Sequence, residues 1–349
     1  MESKPKLLVT GVNGNLGSWI CKYALESGEY KVYGTVRDST SEKTQKQLKD
    51  AFGDHYDELT LVSLDLLDND SIKKAVEGMD YVMSQASPLF PKDAKTEDDY
   101  IRPAVDGFLA IMEASRDNGV KRIVFTGSIG CILDYTKKGE YTADETQFAP
   151  SDGVVYSYTK SKILQEQEVW KSYEAMKDDP KRPEVLFLLP GVLFGPVLLK
   201  ECHSAAMQVN LLTSNLSSRV PPFYSGLMDI TEAARVHMVA LKQGRSGERY
   251  IICGEETCKF SEYASHLGKY KKMGYKIADK DAGCFLLWIG SLFDEFTKFM
   301  YRVRNRKINL KNGKAVKELG LKIPPYKETM EGMAESLIEN GYVKDLRNN

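Results

Sequence analysis

The chain is poor in the residues that bind metals. Its 349 residues include only four histidines (His55, His203, His237, His266), none at metal-ligand spacing from a cysteine or carboxylate. Six cysteines (Cys21, Cys131, Cys202, Cys253, Cys258, Cys284) are scattered without a CxxC pair. No metal site is therefore expected. A chain of this length buries enough core to need no disulfide staples, so the cysteines read as free thiols in a reducing compartment. Neither sign of charge is in excess: the net charge is −1, which gives no reason to expect a nucleic-acid partner. Long hydrophobic runs are missing too. The most apolar stretch, "CFLLWIGSLF" at 284–293, falls far short of the ~20 residues of a membrane span. With the charged "DEFTK" after it, that stretch reads as a buried amphipathic helix. The opening "MESKPKLLVTG" runs straight into an apolar strand without a signal-type segment. The expectation is a soluble, cytoplasmic protein with no membrane partner.

What the chain does have is alternation. Short β-rich runs stand at "KLLVT" (6–10), "YKVYGTV" (30–36), "LTLVSLD" (59–65), "DYVMSQA" (80–86), "KRIVFTGS" (121–128) and "EVLFLLP" (184–190). Helical patterns separate them, among them 16–27, 68–78, a long segment ending at Asn118, and 158–176. Strands of four to seven residues alternating with helices predict a doubly wound parallel α/β sheet with crossover helices on both faces. After "PGVLFGP" (190–196) the rhythm breaks, and "ERYIICG" (248–254) reads as a late strand of the same sheet. The expected organisation is a nucleotide-binding domain over 1–196, rejoined by 225–255. Residues 197–224 and 256–349 form a smaller, mostly helical substrate lobe over the sheet's C-terminal edge.

At the first strand–helix junction "VTGVNGNLGSW" sets Gly11, Gly14 and Gly17 in GxxGxxG spacing. Gly11 suits a tight turn, Gly14 lets a pyrophosphate approach the backbone, and Gly17 lets helix and strand pack closely. The first-turn N–H groups then face the phosphates. About twenty residues on, where an NAD site carries a carboxylate for the ribose, "TVRD" offers Arg37. A guanidinium there is a charge-assisted partner for a 2′-phosphate, which favours NADP(H); the neighbouring Asp38 is the competing ribose ligand.

Further along, "VVYSYTKSK" (154–162) contains one spacing twice: Tyr156 with Lys160, and Tyr158 with Lys162. Four residues place Tyr and Lys on one helix face. An ammonium near a phenol lowers its pKa from about 10 toward the range where it can hand a proton to a carbonyl oxygen. Ser128, at the end of the fifth strand, stands at the sheet edge where such folds do chemistry and could hold the substrate oxygen.

These motifs resemble those of the extended short-chain dehydrogenase/reductases, and most of all the group containing dihydroflavonol 4-reductases, cinnamoyl-CoA reductases and NADPH-dependent aldehyde or ketone reductases. "VTGVNGNLGSW" is similar to the TGxxGxxGSW opening, "RIVFTGSIG" to the strand end carrying a catalytic serine, and "LLPGVLFGP" to the PxxVxGP segment. The tail is similar to that of the bacterial aldehyde-reductase branch. The resemblance implies an NAD(P)-binding Rossmann fold with NADP(H) held by Gly11, Gly14, Asn15, Leu16, Gly17, Arg37, Asp65, Leu66, Ala86, Ser87, Lys162, Pro190 and Val192. The family helix reads YxxSKxxAExxxW, and Glu166 and Trp170 fit it only when Lys162 is the lysine. By that resemblance Tyr158 is the general acid, Lys162 binds the ribose and lowers the tyrosine pKa, and Ser128 orients a small-molecule carbonyl. Phe90, Ile129, Gly191 and Phe223 would line the substrate side.

Three positions depart from the family. Gly127 stands where a serine is usual, Asp106 where many relatives have asparagine, and Leu133 where dihydroflavonol reductases use asparagine to grip a flavonoid ring. The last argues against a dedicated flavonoid substrate. The rival reading is a non-catalytic NADP-binding sensor or structural subunit with the same fold. Relatives include monomers and dimers, and the sequence favours neither.

Overall fold

A computed structural model describes residues 4–87, 96–137, 139–213 and 219–347. Seven strands form one sheet: β1 (Lys6–Val9), β2 (Lys31–Val36), β3 (Leu59–Ser63), β4 (Tyr81–Ser84), β5 (Arg122–Thr126), β6 (Glu184–Pro190) and β7 (Arg249–Ile252). Every neighbouring pair is parallel, in the spatial order β3-β2-β1-β4-β5-β6-β7. This is the doubly wound sheet expected from the alternation, and "ERYIICG" does supply its last strand. Strand order reverses between β1 and β4, which opens a crevice at their C-terminal ends.

The central strands are apolar along their length because helices cover both faces. Leu7, Leu8, Val9, Val82, Ile123, Val124, Phe125 and Val185–Leu189 are fully buried. The helices are α1 (Asn15–Ser27), α2 (Glu42–Phe52), α3 (Asn69–Val76), α4 (Asp98–Asp117), α5 (Ser157–Ala175) and α6 (Ile230–Gln243). In one layer α4 packs against α3 and α5; in the other α1 packs against α6. An aromatic file fixes α4 and α5 on the sheet. Phe125 stacks between Phe108 and Phe187 at 5.1 Å from each, and Trp170 lies 5.2 Å from Phe187. Asp229 caps α6 by accepting from the N–H groups of Thr231 and Glu232.

The remaining segments are tied down by short strands. Val192–Phe194 pairs with Leu227–Asp229, Tyr224–Ser225 with Cys258–Lys259, Arg219–Val220 with Lys280–Asp281, and Tyr141–Ala143 with Ile308–Leu310. One expectation fails here. The "CFLLWIGSLF" stretch forms a helix, Cys284–Gly290, and a following turn, but it is not buried: only Leu287 is covered. Its short helix packs mainly on the next one, Glu295–Val303, so a single side chain meets the core while the rest face outward.

Glu166 and Trp170, the residues that fit the family helix, have a structural task. The Arg249 guanidinium is buried and bonds both oxygens of the buried Glu166 carboxylate, at 2.7 and 2.8 Å. Arg249 also donates to the carbonyls of Cys131, Glu145 and Gln147, and the Trp170 indole N–H donates to Glu166. The last strand, α5 and the chain after Ser128 thus meet at one ion pair. Removing one partner strands a buried charge, so Glu166→Ala should lower unfolding free energy by about 3–5 kcal/mol in urea titrations. A loss under about 1 kcal/mol would show that the clamp does not hold the fold together.

Candidate active site

The glycine turn is built as its spacing implies. Gly11 takes φ +67°, and a Cβ there would press on Ala86 at 3.1 Å. A Cβ on Gly17 would stand 2.2 Å from the Gly11 carbonyl, so any larger residue would push α1 off the turn. Gly14 is the N-cap of α1 and has no side chain to satisfy the helix N–H groups. Behind the turn, the Thr10 hydroxyl accepts from the backbone of Gln85 and Ala86, joining the ends of β1 and β4. Trp19, the tryptophan of "GSW", donates to the Pro196 carbonyl at 2.8 Å and anchors the segment after β6 to α1.

Around this crevice buried polar atoms lack partners. Asn15 Oδ1, Gln85 Oε1 and Ser87 Oγ make no hydrogen bond among the described residues. Such orphans are rare in protein interiors and suit a polar ligand. Arg37 is exposed just past β2 and makes no ion pair or hydrogen bond among the described residues. Its neighbour Asp38 is engaged: its carboxylate accepts from the Thr40 N–H and hydroxyl, and these bonds hold its pKa below the usual carboxylate range. Of the two candidates for the ribose end, the cation is the one left free. Asp65, exposed, caps its own turn at Leu67, while Leu66 packs on Gly107 of α4. A dinucleotide fits the residues present: a helix N-terminus without a side-chain N-cap, orphaned polar atoms and a guanidinium with no partner among the described residues.

The two Tyr–Lys pairs separate sharply. Tyr156 precedes α5 and packs into a cluster with Phe299, Met300 and Val303, its ring stacked at 5.6 Å on Phe299. Lys160 forms an ion pair with Glu97. Lys162 instead lies buried beneath the sheet edge, 3% exposed. Its ammonium donates to the Thr126 carbonyl at the end of β5 (3.3 Å) and to Gln165 Oε1 (3.1 Å), and stands over the Phe108 ring. Tyr158, half-buried, has a hydroxyl with no partner among the described residues. Ser128 is also half-buried, and its Oγ accepts from the Gly130 N–H. The short turn Ile129–Cys131 packs on α5, where the Cys131 thiol donates to the Lys162 carbonyl.

Burial dominates the electrostatics. It lowers the Lys162 pKa to about 8 and raises that of Tyr158. For Tyr158 the largest influence is desolvation of the phenolate, which favours the protonated phenol.

Gln165 went unnoticed in the sequence although it replaces the alanine of the family helix. It is fully buried; its Oε1 accepts from Lys162 and its Nε2 donates to the Ala104 carbonyl of α4 (3.2 Å). Both partners act in one direction only, so the amide orientation is fixed. Ser204 was missed as well. Its hydroxyl accepts from the Asn15 N–H at the start of α1, a contact across 189 residues that no local pattern signals. Thr126 is set by His237, whose Nδ1 donates to the Ala233 carbonyl, leaving Nε2 to accept from the Thr126 hydroxyl at 2.9 Å. Burial lowers the His237 pKa to about 4, so the ring is neutral near neutrality.

The other expected contacts are mixed. Pro190 ends β6, and Val192 follows it with its N–H committed to the Gly226 carbonyl, so a carboxamide would have to meet another group of this residue. Ile129 is buried in the core, and Gly191 is pressed against the Gly226 carbonyl. Phe223 packs on Phe260 and Phe299. Phe90 lies outside the described residues. Asp106 is exposed and faces Arg102, away from Lys162. A side chain at Gly127 would meet Leu189 at 2.7 Å, which accounts for glycine in place of serine.

Comparison with known proteins bears out the resemblance. Tetraketide alpha-pyrone reductase 1 of Arabidopsis thaliana is 28% identical over 99% of both chains. Cinnamoyl-CoA reductase 1 of Petunia hybrida is 27% identical over 96% of this chain and 92% of its own. The yeast methylglyoxal/isovaleraldehyde reductase Gre2, solved with NADPH, superposes with a TM-score of 0.78 at 24% identity, covering 97% of this chain and all of that one. Residues 7–253 match the model of one family throughout. The chain belongs to the NAD dependent epimerase/dehydratase family.

Proposed function

We propose that this protein is an NADPH-dependent reductase that converts the carbonyl of a small aldehyde or ketone into an alcohol. The observation that carries the reading is the buried Lys162 ammonium, held by Thr126 and Gln165 on the helix that bears Tyr158, at the C-terminal edge of the sheet. The named relatives are themselves reductases, and the yeast neighbour was solved with NADPH.

Gly11, Gly14, Asn15, Leu16 and Gly17 would cradle the pyrophosphate, with Arg37 at the 2′-phosphate. Asp65, Leu66, Ala86, Ser87, Pro190 and Val192 would line the remaining cofactor path. The bound cofactor supplies the hydride. Ser128 orients the carbonyl by donating to its oxygen. Tyr158, kept protonated by burial, then donates its proton as that oxygen gains charge. Lys162 has three N–H donors, two of them used by protein acceptors; the third serves the ribose, and its positive charge steadies the phenolate once the proton has left. Phe223, with its ring among Phe260 and Phe299, lines the substrate side.

Screening NADPH oxidation against aldehydes, 2-ketoaldehydes, aryl ketones, cinnamoyl thioesters, dihydroflavonols and 3-ketosteroids tests the activity. Silence across the panel together with tight NADPH binding would favour a sensor. With an active substrate, Tyr158→Phe should reduce kcat roughly a hundred- to ten-thousand-fold and spare NADPH binding, whereas Tyr156→Phe should keep most turnover. The reverse pattern would place the acid one turn wrong. Arg37→Ala should weaken NADPH binding about tenfold to a hundredfold and leave NADH little changed; an undiminished preference for NADPH would move the phosphate site elsewhere.

Turnover should fall as pH rises through about 8, where Lys162 loses its charge. Gln165→Leu removes one acceptor from the ammonium and should shift that limb of kcat/KM about one pH unit lower. An unshifted limb would show that Gln165 only fills space.

A further inference from the structure

The exposed segment after residue 283 has no role in the proposed chemistry. Its helix Cys284–Gly290 presents Phe285, Leu286, Trp288 and Ile289 to solvent, and the turn that follows adds Leu292 and Phe293. Phe293 is 85% exposed and Phe285 73%. The Phe285 and Trp288 rings stack side by side, 6.1 Å apart and inclined by 27°. Isolated apolar side chains are normal on a protein surface; six within ten residues, two of them aromatic and more than two-thirds exposed, are not.

The next helix, Glu295–Val303, supports this patch. Thr297 lies under Gly290, and Phe299, Met300 and Val303 face the interior. Its outer surface carries Lys298 and Arg302, four residues apart and both exposed. Arg304, Arg306 and Lys307 follow directly, and from Phe296 to Lys317 the sequence contains no acidic residue. None of these five cations has a carboxylate partner among the described residues. The two acidic residues between the apolar segment and these cations, Asp294 and Glu295, are engaged: Asp294 caps the Thr297 N–H, and Glu295 accepts from the Ser157 backbone and hydroxyl. A chain with a net charge of −1 thus gathers cations without carboxylate partners next to this apolar segment, two of them, Arg304 and Arg306, donating to the carbonyls of Tyr301 and Tyr135.

We infer that the Cys284–Phe293 hairpin, together with the basic surface from Lys298 to Lys307, is an interfacial anchor that docks the protein on an anionic lipid bilayer. Aromatic and aliphatic side chains on one face of a short helix, flanked by lysine and arginine, are the combination that lies in the headgroup region. A second copy of the chain fits less well, because a two-fold contact through this patch would bring the same cations face to face. The helix does not cross the bilayer: among the described residues no helix is long and apolar enough to do so. Docking would hold Tyr158 near the lipid surface, since the helix that follows the hairpin, Glu295–Val303, packs on Tyr156 through Phe296 and Phe299 and grips the start of α5 through Glu295.

The test is flotation of the full chain with phosphatidylcholine vesicles containing about one-third phosphatidylserine, against pure phosphatidylcholine, at low and high salt. The inference expects binding to the anionic vesicles that weakens with salt. A Phe285→Ser/Trp288→Ser/Phe293→Ser variant should bind at least about tenfold more weakly, since each aromatic adds substantially to partitioning. So should Lys298→Glu/Arg302→Glu, which leaves the apolar surface intact. Both should keep wild-type turnover without vesicles, which also shows that they fold. Failure of the wild type to float with anionic vesicles overturns the inference, and so does binding that survives both variants. A concentration-dependent dimer that only the apolar variant dissociates would overturn it in favour of self-association.

Discussion

A primary ammonium almost wholly removed from water is the constraint around which this molecule is arranged. Acceptors from two directions meet the Lys162 ammonium: the Thr126 carbonyl from the end of β5 and the Gln165 amide, itself fastened to Ala104 of α4. Each acceptor is fixed in turn. His237 holds the Thr126 side chain from α6, and the Arg249–Glu166 pair draws α5 against the last strand and the chain after Ser128. Small displacements of α5 would leave the charge unpaired, so the lysine's demand for partners and the precision of the site come from the same contacts.

The cofactor crevice follows a different logic, that of omission. Glycines occupy positions 11 and 17 because carbons would strike Ala86 and the Gly11 carbonyl, and the turn they make leads into a helix N-terminus without a side-chain N-cap, beside orphaned polar atoms. Asp38 is the competitor of Arg37 for the ribose end, yet its carboxylate is spent on Thr40. The open polar crevice and the crowded lysine pocket lie at the same edge of the sheet, which lets one bound molecule touch both.

Much of this was legible in the sequence, and the reasons are local. Alternating strand and helix patterns gave the sheet, including its late strand, because parallel strands buried on both faces must be apolar along their length. The choice of Lys162 over Lys160 rested on Glu166 and Trp170, and the structure shows their physical meaning as parts of the Arg249 clamp. What escaped was tertiary. Gln165 looks like any helical glutamine until α4 is placed beside it. The Ser204 contact to Asn15 links residues far apart in the chain. The expected burial of residues 284–293 failed because an apolar pattern reports which face could be covered, not whether anything covers it. Likewise the burial that raises the Tyr158 pKa comes from tertiary packing, which spacing alone does not report.

The central claim is that hydride passes from a bound nicotinamide to a carbonyl carbon while a protein proton reaches the oxygen. The most direct measurement uses NADPH deuterated at the transferring position of C4 with any carbonyl compound that the protein reduces, followed by mass spectrometry of the alcohol. The account predicts one deuterium on the former carbonyl carbon and no hydrogen from solvent at that carbon. An alcohol whose carbon-bound hydrogen comes from water would contradict it.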